Sequence, residues 1–419
     1  MIGILAAITI VAFNGVQQRA IEAGTISELK QATNKLAAYR VESLSDRYPM
    51  SLSDAGIENT DSSNFQYTYD DLTNTYCISA VSNAASAPAF HVDSSVDETS
   101  FEPSVCAGHS TGVPLIANFT ELTNSGSRSW RAVASSDDGT KLAAVPTSGY
   151  VYTSNDSGAT WTQQTGSGSR SWNSIASSAD GSRLIAVYTS LPYAYISTDS
   201  GITWSQNIMY GSTMYPQAVA SSTDGTKLAI AAKYGSGDYV YTTSNGGSTW
   251  ARNTTIGPSG WQSIDSSADG THLIISSGGG GSNGYIKYSH DSGVTWSNAT
   301  SEGTQSRWGV AISDDGQIMY AGPSSPTGSL VRSTDGGATW TTLTDTGDNR
   351  WRGLDSSADG SIVIGVDRNT GTVYYSTDSG DTWDTYTDFP TMRYAACSSD
   401  CREAILADSS GYLHRLTFE

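Results

Sequence analysis

Apolar residues fill positions 2–13 almost without a break. From Asn14 the pattern changes, and Val16, Ile21, Ile26, Leu29, Leu36 and Tyr39 recur at roughly helical spacing until Pro49 stops the run. This predicts one long helix over residues 2–48, in which Gly3, Gly15 and Gly24 each cost about 1 kcal/mol relative to alanine. Two alternating stretches follow, Phe65 to Tyr69 and Tyr76 to Val81, with the period of strands. Residues 82–112, rich in Ser, Ala, Asp and Pro, read as an edge segment passing into a linker. Beyond residue 113 the pattern becomes cyclic. Each cycle opens on an aromatic, at Trp130, Trp172, Tyr215, Trp261, Trp308, Trp351 and Tyr394, and continues into a strand of the Ala-Val-Ala-Ser-Ser type. An Asp-Gly turn, an apolar run such as Leu184 to Val187 and a tyrosine-rich third strand come next. An octapeptide turn then leads into a fourth strand.

The octapeptide is clearest as Ser197-Thr198-Asp199-Ser200-Gly201-Ile202-Thr203-Trp204 and ends at Trp161, Trp204, Trp250, Trp296, Trp340 and Trp383, at intervals of 43, 46, 46, 44 and 43 residues. Its Asp, at Asp156, Asp199, Asp291, Asp335 and Asp378, can accept hydrogen bonds from amides of its own turn, and Asn245 in the third copy still offers an acceptor oxygen. Its glycine supplies a backbone shape closed to other residues, and its Trp caps the interior. A four-strand unit repeated at this period predicts the blades of a β-propeller, because one unit cannot bury its apolar face alone. There are seven unit starts and six octapeptides, and the last unit ends at Phe418 with no fourth strand. Counting back from Trp130 by the usual 11 residues reaches Phe119, within a stretch that mirrors residues 159–165. Residues 117–123 are therefore expected to close the seventh blade.

These octapeptides resemble the Asp-box repeats of sialidases and related propellers. The resemblance implies the fold and little chemistry, since in such propellers the box is a structural hairpin facing away from the ligand site. A second resemblance lies in Ile2 to Ala20, which is similar to the second half of a type IV pilin or pseudopilin N-terminal helix. It extends closely to about residue 50 and loosely to about 112. The family's processing site, mature N-terminal Phe and assembly Glu would lie upstream of Met1. This resemblance implies a helix that anchors in the inner membrane before assembly and then sits in the core of a helical filament. The twelve apolar residues present are too few to span a bilayer, which needs about 20. An ordinary buried or anchoring helix and a secretory signal are the alternatives. The expected organisation is multidomain: a pilin-like helix over 1–49, a small β module and linker over 50–112 (together α+β), and an all-β seven-bladed propeller over 113–419.

Composition narrows the function. The chain of 419 residues carries a net charge of −19, with −8 in residues 1–112 and −11 in the remainder, and both parts would repel a phosphate backbone. Nucleic acid is excluded as a partner on that ground. Four cysteines fall into two local pairs, Cys77 with Cys106 and Cys397 with Cys401, without companions at zinc-site spacing. Disulfides suit an exported protein, and buried free thiols are the alternative. Nothing in the sequence calls for a metal or a cofactor.

The Asp-Gly turns and octapeptides fall on one face of the disc and hardly vary. The opposite face carries loops that differ in length and content, where binding on a rigid frame usually resides. That face concentrates Arg128, Arg131, Arg170, Arg307, Arg350, Arg352 and Arg393 beside the unit-start aromatics. Guanidinium groups beside indole and phenol rings suit anionic or ring-shaped ligands, although a repeated Trp with Arg stacked on it also serves to pack blades together. The candidate ligand-binding set is therefore Arg128, Trp130, Arg170, Trp172, Tyr215, Trp261, Arg307, Trp308, Arg350, Trp351, Arg352, Arg393 and Tyr394. Sialidase chemistry would need an arginine triad, a Tyr-Glu pair and an acid, and the early Arg-Ile-Pro signature of that family is absent. A two-carboxylate hydrolase drawing on Glu302, Asp345, Asp348 or Asp388 is the rival reading. The leading expectation is a non-enzymatic subunit of a type IV pilus-like filament at the bacterial surface. It would display a propeller for adhesion to a glycan or surface protein, and a purely structural coat is the further alternative.

Overall fold

The computed structural model describes residues 21, 23–41, 43, 47–49, 52–60, 62–70, 74–82 and 90–94, and then 117–418 apart from 190–192, 209–214, 234–238, 254–255, 258–259, 279–285, 300–305, 326–327, 344–348, 388 and 390–391. The chain divides into two compact units, Met1–Ile116 and Ala117–Glu419.

In the first unit a helix over 23–41 buries Thr25, Leu29, Ala32, Thr33 and Leu36, a stripe at the three-and-four spacing of one helical face. The stripe packs on Tyr76, Ile78, Ala80, Phe90 and Val92 of a three-stranded antiparallel sheet, Ser63–Asp70, Thr75–Ser82 and Phe90–Asp93 in that order. The helix does not run to residue 48. Residue 43 is already a bend, and the Ser43 hydroxyl donates to the Arg47 carbonyl at 3.4 Å. Tyr48 instead turns back onto the sheet, its ring centre 4.6 Å from that of Tyr76 and beneath the Arg40 guanidinium. Residues 1–20, with the apolar run and its membrane and filament roles, lie outside the described residues. No helix among the described residues is long and apolar enough to cross a membrane. Cys77 is disulfide-bonded, and its expected partner Cys106 lies outside the described residues.

In the second unit the described residues form seven four-stranded antiparallel sheets. The last combines Met392–Cys397, Glu403–Asp408 and Leu413–Phe418 with Ala117–Leu122, which pairs Phe418 with Ala117 and Leu413 with Leu122. Phe119 sits on this strand, 4.3 Å from the Phe389 ring and 5.1 Å from Tyr386.

Each sheet begins with a strand that ends in a wired turn. In the first, Ser136 Oγ donates to Asp138 Oδ1 at 2.6 Å, Thr140 N–H donates to the same oxygen at 3.0 Å, and Lys141 N–H donates to Ser136 Oγ at 3.0 Å. The seventh repeats this with Ser398, Asp400, Arg402 and Glu403. The residue between the Ser and the Asp joins neighbouring sheets. Its N–H donates to the carbonyl of its counterpart, from Asp137 to Ala179, Thr223, Ala268, Asp314, Ala358, Ser399 and back to Asp137, at 2.6 to 3.0 Å. These seven bonds close a ring. In the second to sixth sheets the turn glycine is covered by the side chain two residues past the turn glycine of the preceding sheet, so a β-carbon on Gly316 would collide with the His272 ring. In the seventh turn Cys401 takes the glycine position at φ +50° and forms a disulfide with Cys397.

The octapeptides also repeat one another. Asp199 accepts Thr203 N–H at 2.8 Å and Thr203 Oγ1–H at 2.6 Å, and Gly201 N–H donates to Ser197 Oγ at 2.8 Å. Asn245 keeps the first bond, accepting Thr249 N–H at 2.9 Å, and donates through Nδ2 to Thr249 Oγ1. Such turn wiring holds the Asp199 carboxyl below its ordinary range, chiefly through the Thr203 hydroxyl and amide.

Candidate ligand-binding site

The inner strands of all seven sheets line a central cavity of about 280 Å³. Along each strand, the residue just before the bulge marks the rim. In four sheets it is a buried indole, Trp130, Trp172, Trp261 or Trp351, each no more than 1% exposed. These tryptophans are framework between sheets and do not present a surface to a ligand. Arg128 and Arg170 belong with them. Each bonds a backbone carbonyl, of Ser125 or Ser167, and stacks on Tyr152 at 4.2 Å or Tyr195 at 4.1 Å.

The fifth and seventh sheets shift the alignment by one residue or more. Arg307 pairs with Pro323 as Trp130 pairs with Pro146, so Arg307 occupies the buried indole position. It is 3% exposed, and its Nη1 donates to the carbonyls of Ala321 at 3.1 Å and Ser329 at 2.7 Å. In the seventh sheet Met392 holds that position. Tyr215 is 48% exposed, pairs with Lys233 in its sheet and accepts at its backbone carbonyl from Gln217 Nε2 at 3.0 Å.

What remains gathers at one mouth of the cavity. The Arg352 guanidinium lies 5.6 Å from the Trp308 ring centre and 5.2 Å from that of Tyr394. Arg368 lies 4.7 Å from Trp308, and Arg131 lies 5.9 Å from Tyr394. Burial holds the Arg131 guanidinium below its ordinary range, and the charges of Arg352 and Arg393 act the same way against an opposing contribution from Tyr394. Arg368 is lowered by burial and by Arg352, Arg393 and Arg350. Three guanidinium groups, of Arg131, Arg352 and Arg368, thus share two aromatic rings, with the charges of Arg350 and Arg393 close by, and among the described residues none of the five has a carboxylate partner. The Nε atoms of Arg350 and Arg393 are buried with no hydrogen-bond acceptor. An uncompensated cationic mouth on a chain of net charge −19 is a place for an anion.

Deeper in the same cavity are two carboxyls, Asp265 and Asp355. Each bridges its own sheet to the next. Asp265 accepts from Ser266 N at 2.8 Å and Ile312 N at 3.1 Å, and Asp355 accepts from Ser356 N at 2.9 Å and Cys397 N at 2.8 Å. Both border the lumen, so their surfaces are only half-buried, yet protein surrounds them in depth, and that depth governs their ionisation. Burial raises Asp355 to about 6 against the pull of its two amides. Asp265 is raised well above the carboxylate range by burial and by the Asp355 charge. At the far end, Asp137 and Asp314 of the hydrogen-bonded ring are also raised, first by burial. No group of three metal-ligating side chains occurs among the described residues.

Solved structures with this arrangement of sheets carry the decision on fold. The chain is similar to YCF48 bound to a D1 peptide (TM-score 0.56, 14% identity, covering 72% of this chain and 97% of that one). It is similar to hydrazine synthase of Kuenenia stuttgartiensis (0.55, 14%, 69% and 96%) and to YCF48 from Cyanidioschyzon merolae (0.54, 15%, 71% and 98%). The fold is propeller-like. At such identities the likeness extends to the blades alone. No protein-family model and no curated protein matches the sequence.

Arg368, Asp265 and Asp355 join the site beyond the residues expected from sequence, whereas Glu302, Asp345, Asp348 and Asp388 lie outside the described residues. So does most of the variable-face loop sequence at 209–214, 234–238, 279–285 and 300–305.

Proposed function

We propose that this chain is a seven-bladed Asp-box propeller carried on a pilin-like module, and that it serves as a non-enzymatic recognition subunit of a type IV pilus-like surface filament. The carrying observation is the mouth formed by Arg131, Arg352 and Arg368 around Trp308 and Tyr394, which offers stacking and bidentate contacts to an anionic ligand. The filament role is supported by the resemblance of residues 2–20 to pilin helices and by the helix-on-sheet packing of residues 23–94. A structurally similar propeller, YCF48, has been solved with a peptide bound, which favours a binding role over a coat role. Recognition by the ring mouth places the ligand, a glycan or surface protein with acidic groups, opposite the octapeptide turns.

Probing a glycan and host-protein array with the full chain and with Arg352→Ala tests the recognition role. Binding that disappears in the variant is expected, and equal signals from both would refute the site. Immunogold labelling of producing cells tests the filament role, for which label along fibres is expected and label confined to the cell body would count against it.

A further inference from the structure

The mouth and the two carboxyls share one cavity, so whatever enters meets charges of both signs. We infer that the cavity takes a dipolar ligand, with its anionic group held by Arg352 and its neighbours and an ammonium group inserted toward Asp265 and Asp355. The inference rests on the reading of the mouth as an anion site. Arg352 and Asp355 lie on one strand, Trp351–Ser356, three residues apart, which is at most about 10 Å along the backbone at about 3.3 Å per residue and less across the bulge after Trp351. A ligand that satisfies both therefore carries its charges at the two ends of a short chain.

The inner carboxyls exclude a second anion and favour a cation for a specific reason. Each has one backbone amide on each oxygen, and a carboxylate has about four acceptor positions, so lone pairs remain on the lumen side. An ammonium group supplies three donors and replaces the repulsion between the two acids with attraction. The cavity volume of about 280 Å³ falls below the usual range for drug-sized ligands, so it accommodates one chain end and no extended segment. Asn173, Gln217 and Gln262 line the same cavity alongside apolar residues such as Ile175, Val219 and Ile264, which suit the methylene chain of a ligand between its charged ends.

Calorimetric titration of the full chain at low salt with 6-aminohexanoate, hexanoate and hexylammonium tests this. The dipolar compound is expected to bind at least about tenfold more tightly than either singly charged one, a difference of about 1.4 kcal/mol. Asp355→Ala should bring 6-aminohexanoate to the level of hexanoate, and Arg352→Ala should weaken both. Alanine occupies the Asp355 position in five other blades, at Ala134, Ala176, Ala220, Ala311 and Ala396, so the strand accommodates it. Equal affinity for 6-aminohexanoate and hexanoate would overturn the inference while leaving the anion site standing, and absence of binding by both would overturn both. Hexylammonium binding as tightly as 6-aminohexanoate would also overturn it. Nα-acetyl-lysine, with the end groups of a peptide that terminates in lysine, and a glucosamine–uronate disaccharide then separate the two sources of this chemistry. The tighter of the two names the source, and failure of both to compete with 6-aminohexanoate would overturn the assignment to a biological chain end.

Discussion

Ser200→Gly and Gly201→Ala, one residue apart in a single octapeptide, should move stability in opposite directions. Ser200 has φ +57° and Gly201 has φ +89°. A side chain in the left-handed region costs about 1–2 kcal/mol, and the extra freedom of glycine in the unfolded chain returns about 0.5–1 kcal/mol of that. Ser200→Gly is therefore expected to be neutral to about 1 kcal/mol stabilising. The third and fifth octapeptides already carry glycine there, as Gly246 and Gly336, at φ +65° and +67°. Gly201→Ala meets the same backbone cost and a steric one. Its β-carbon would lie 2.8 Å from Thr153 Cγ2 and 3.3 Å from Leu184 Cδ1, both in the packed interior. Overpacking adds about 1–3 kcal/mol, and with the loss of glycine's freedom in the unfolded chain returning about 0.5–1 kcal/mol the net cost is about 1–4 kcal/mol. At about 2–4 °C per kcal/mol the melting temperature of the propeller unit should fall by about 2–16 °C. Differential scanning calorimetry of the full chain reads both variants. A Ser200→Gly variant that loses as much as Gly201→Ala, or a neutral Gly201→Ala, would refute the argument from backbone conformation and close packing.

Other outcomes follow from the same structure. Leu122, on the strand that closes the seventh sheet, is 7% exposed and packs with Trp130, Leu142 and Leu413, so Leu122→Ala should cost about 2–5 kcal/mol in urea unfolding. Because the Asp355 pKa is raised in the folded protein, the folded state holds that proton more tightly than the unfolded one. Its contribution is full below about pH 4 and is lost as pH rises to about 6, by up to about 3 kcal/mol for two pK units. The stability difference between wild type and Asp355→Ala, measured by urea midpoints from pH 4 to 7, should therefore change across that window and level off above it. Asp199→Asn should cost under about 1 kcal/mol, since Asn245 already serves the same turn with its amide bonded to Thr249. A thermal melt in which Asp199→Asn matches Gly201→Ala would contradict this.

The repeat was legible because its constraints are local. The turn Ser and Asp bond within six residues, and the glycine answers both a left-handed backbone and a side chain from the preceding sheet, so six of the seven turns carry the same letters. The buried face of the helix, at Leu29 and Leu36, was visible for the same reason. Alignment of the inner strands was less so. Trp308 follows Arg307, and Tyr394 follows Arg393 and Met392, so an aromatic stands near the expected place while a different residue takes the buried position. Only strand pairing distinguishes the two, and it turns Trp308 and Tyr394 toward the cavity mouth. Asp265 and Asp355 did leave a trace. They are acids in a slot that holds alanine elsewhere, in Ser-Ile-Asp-Ser and Gly-Leu-Asp-Ser against Ala-Val-Ala-Ser. Arg368 left none, because it reaches Trp308 from a turn after the second strand of the neighbouring blade. The end of the helix depended on tertiary contact, with Tyr48 leaving it for Tyr76.

The indole N–H resonances of the 11 tryptophans in the full chain report on the mouth most directly. With hexanoate added, a progressive shift of the Trp308 resonance is expected, abolished in Arg352→Ala, while buried Trp130, Trp172, Trp261 and Trp351 stay in place. A shift confined to the octapeptide tryptophans, such as Trp204 or Trp296, or no shift at saturating concentration, would contradict it.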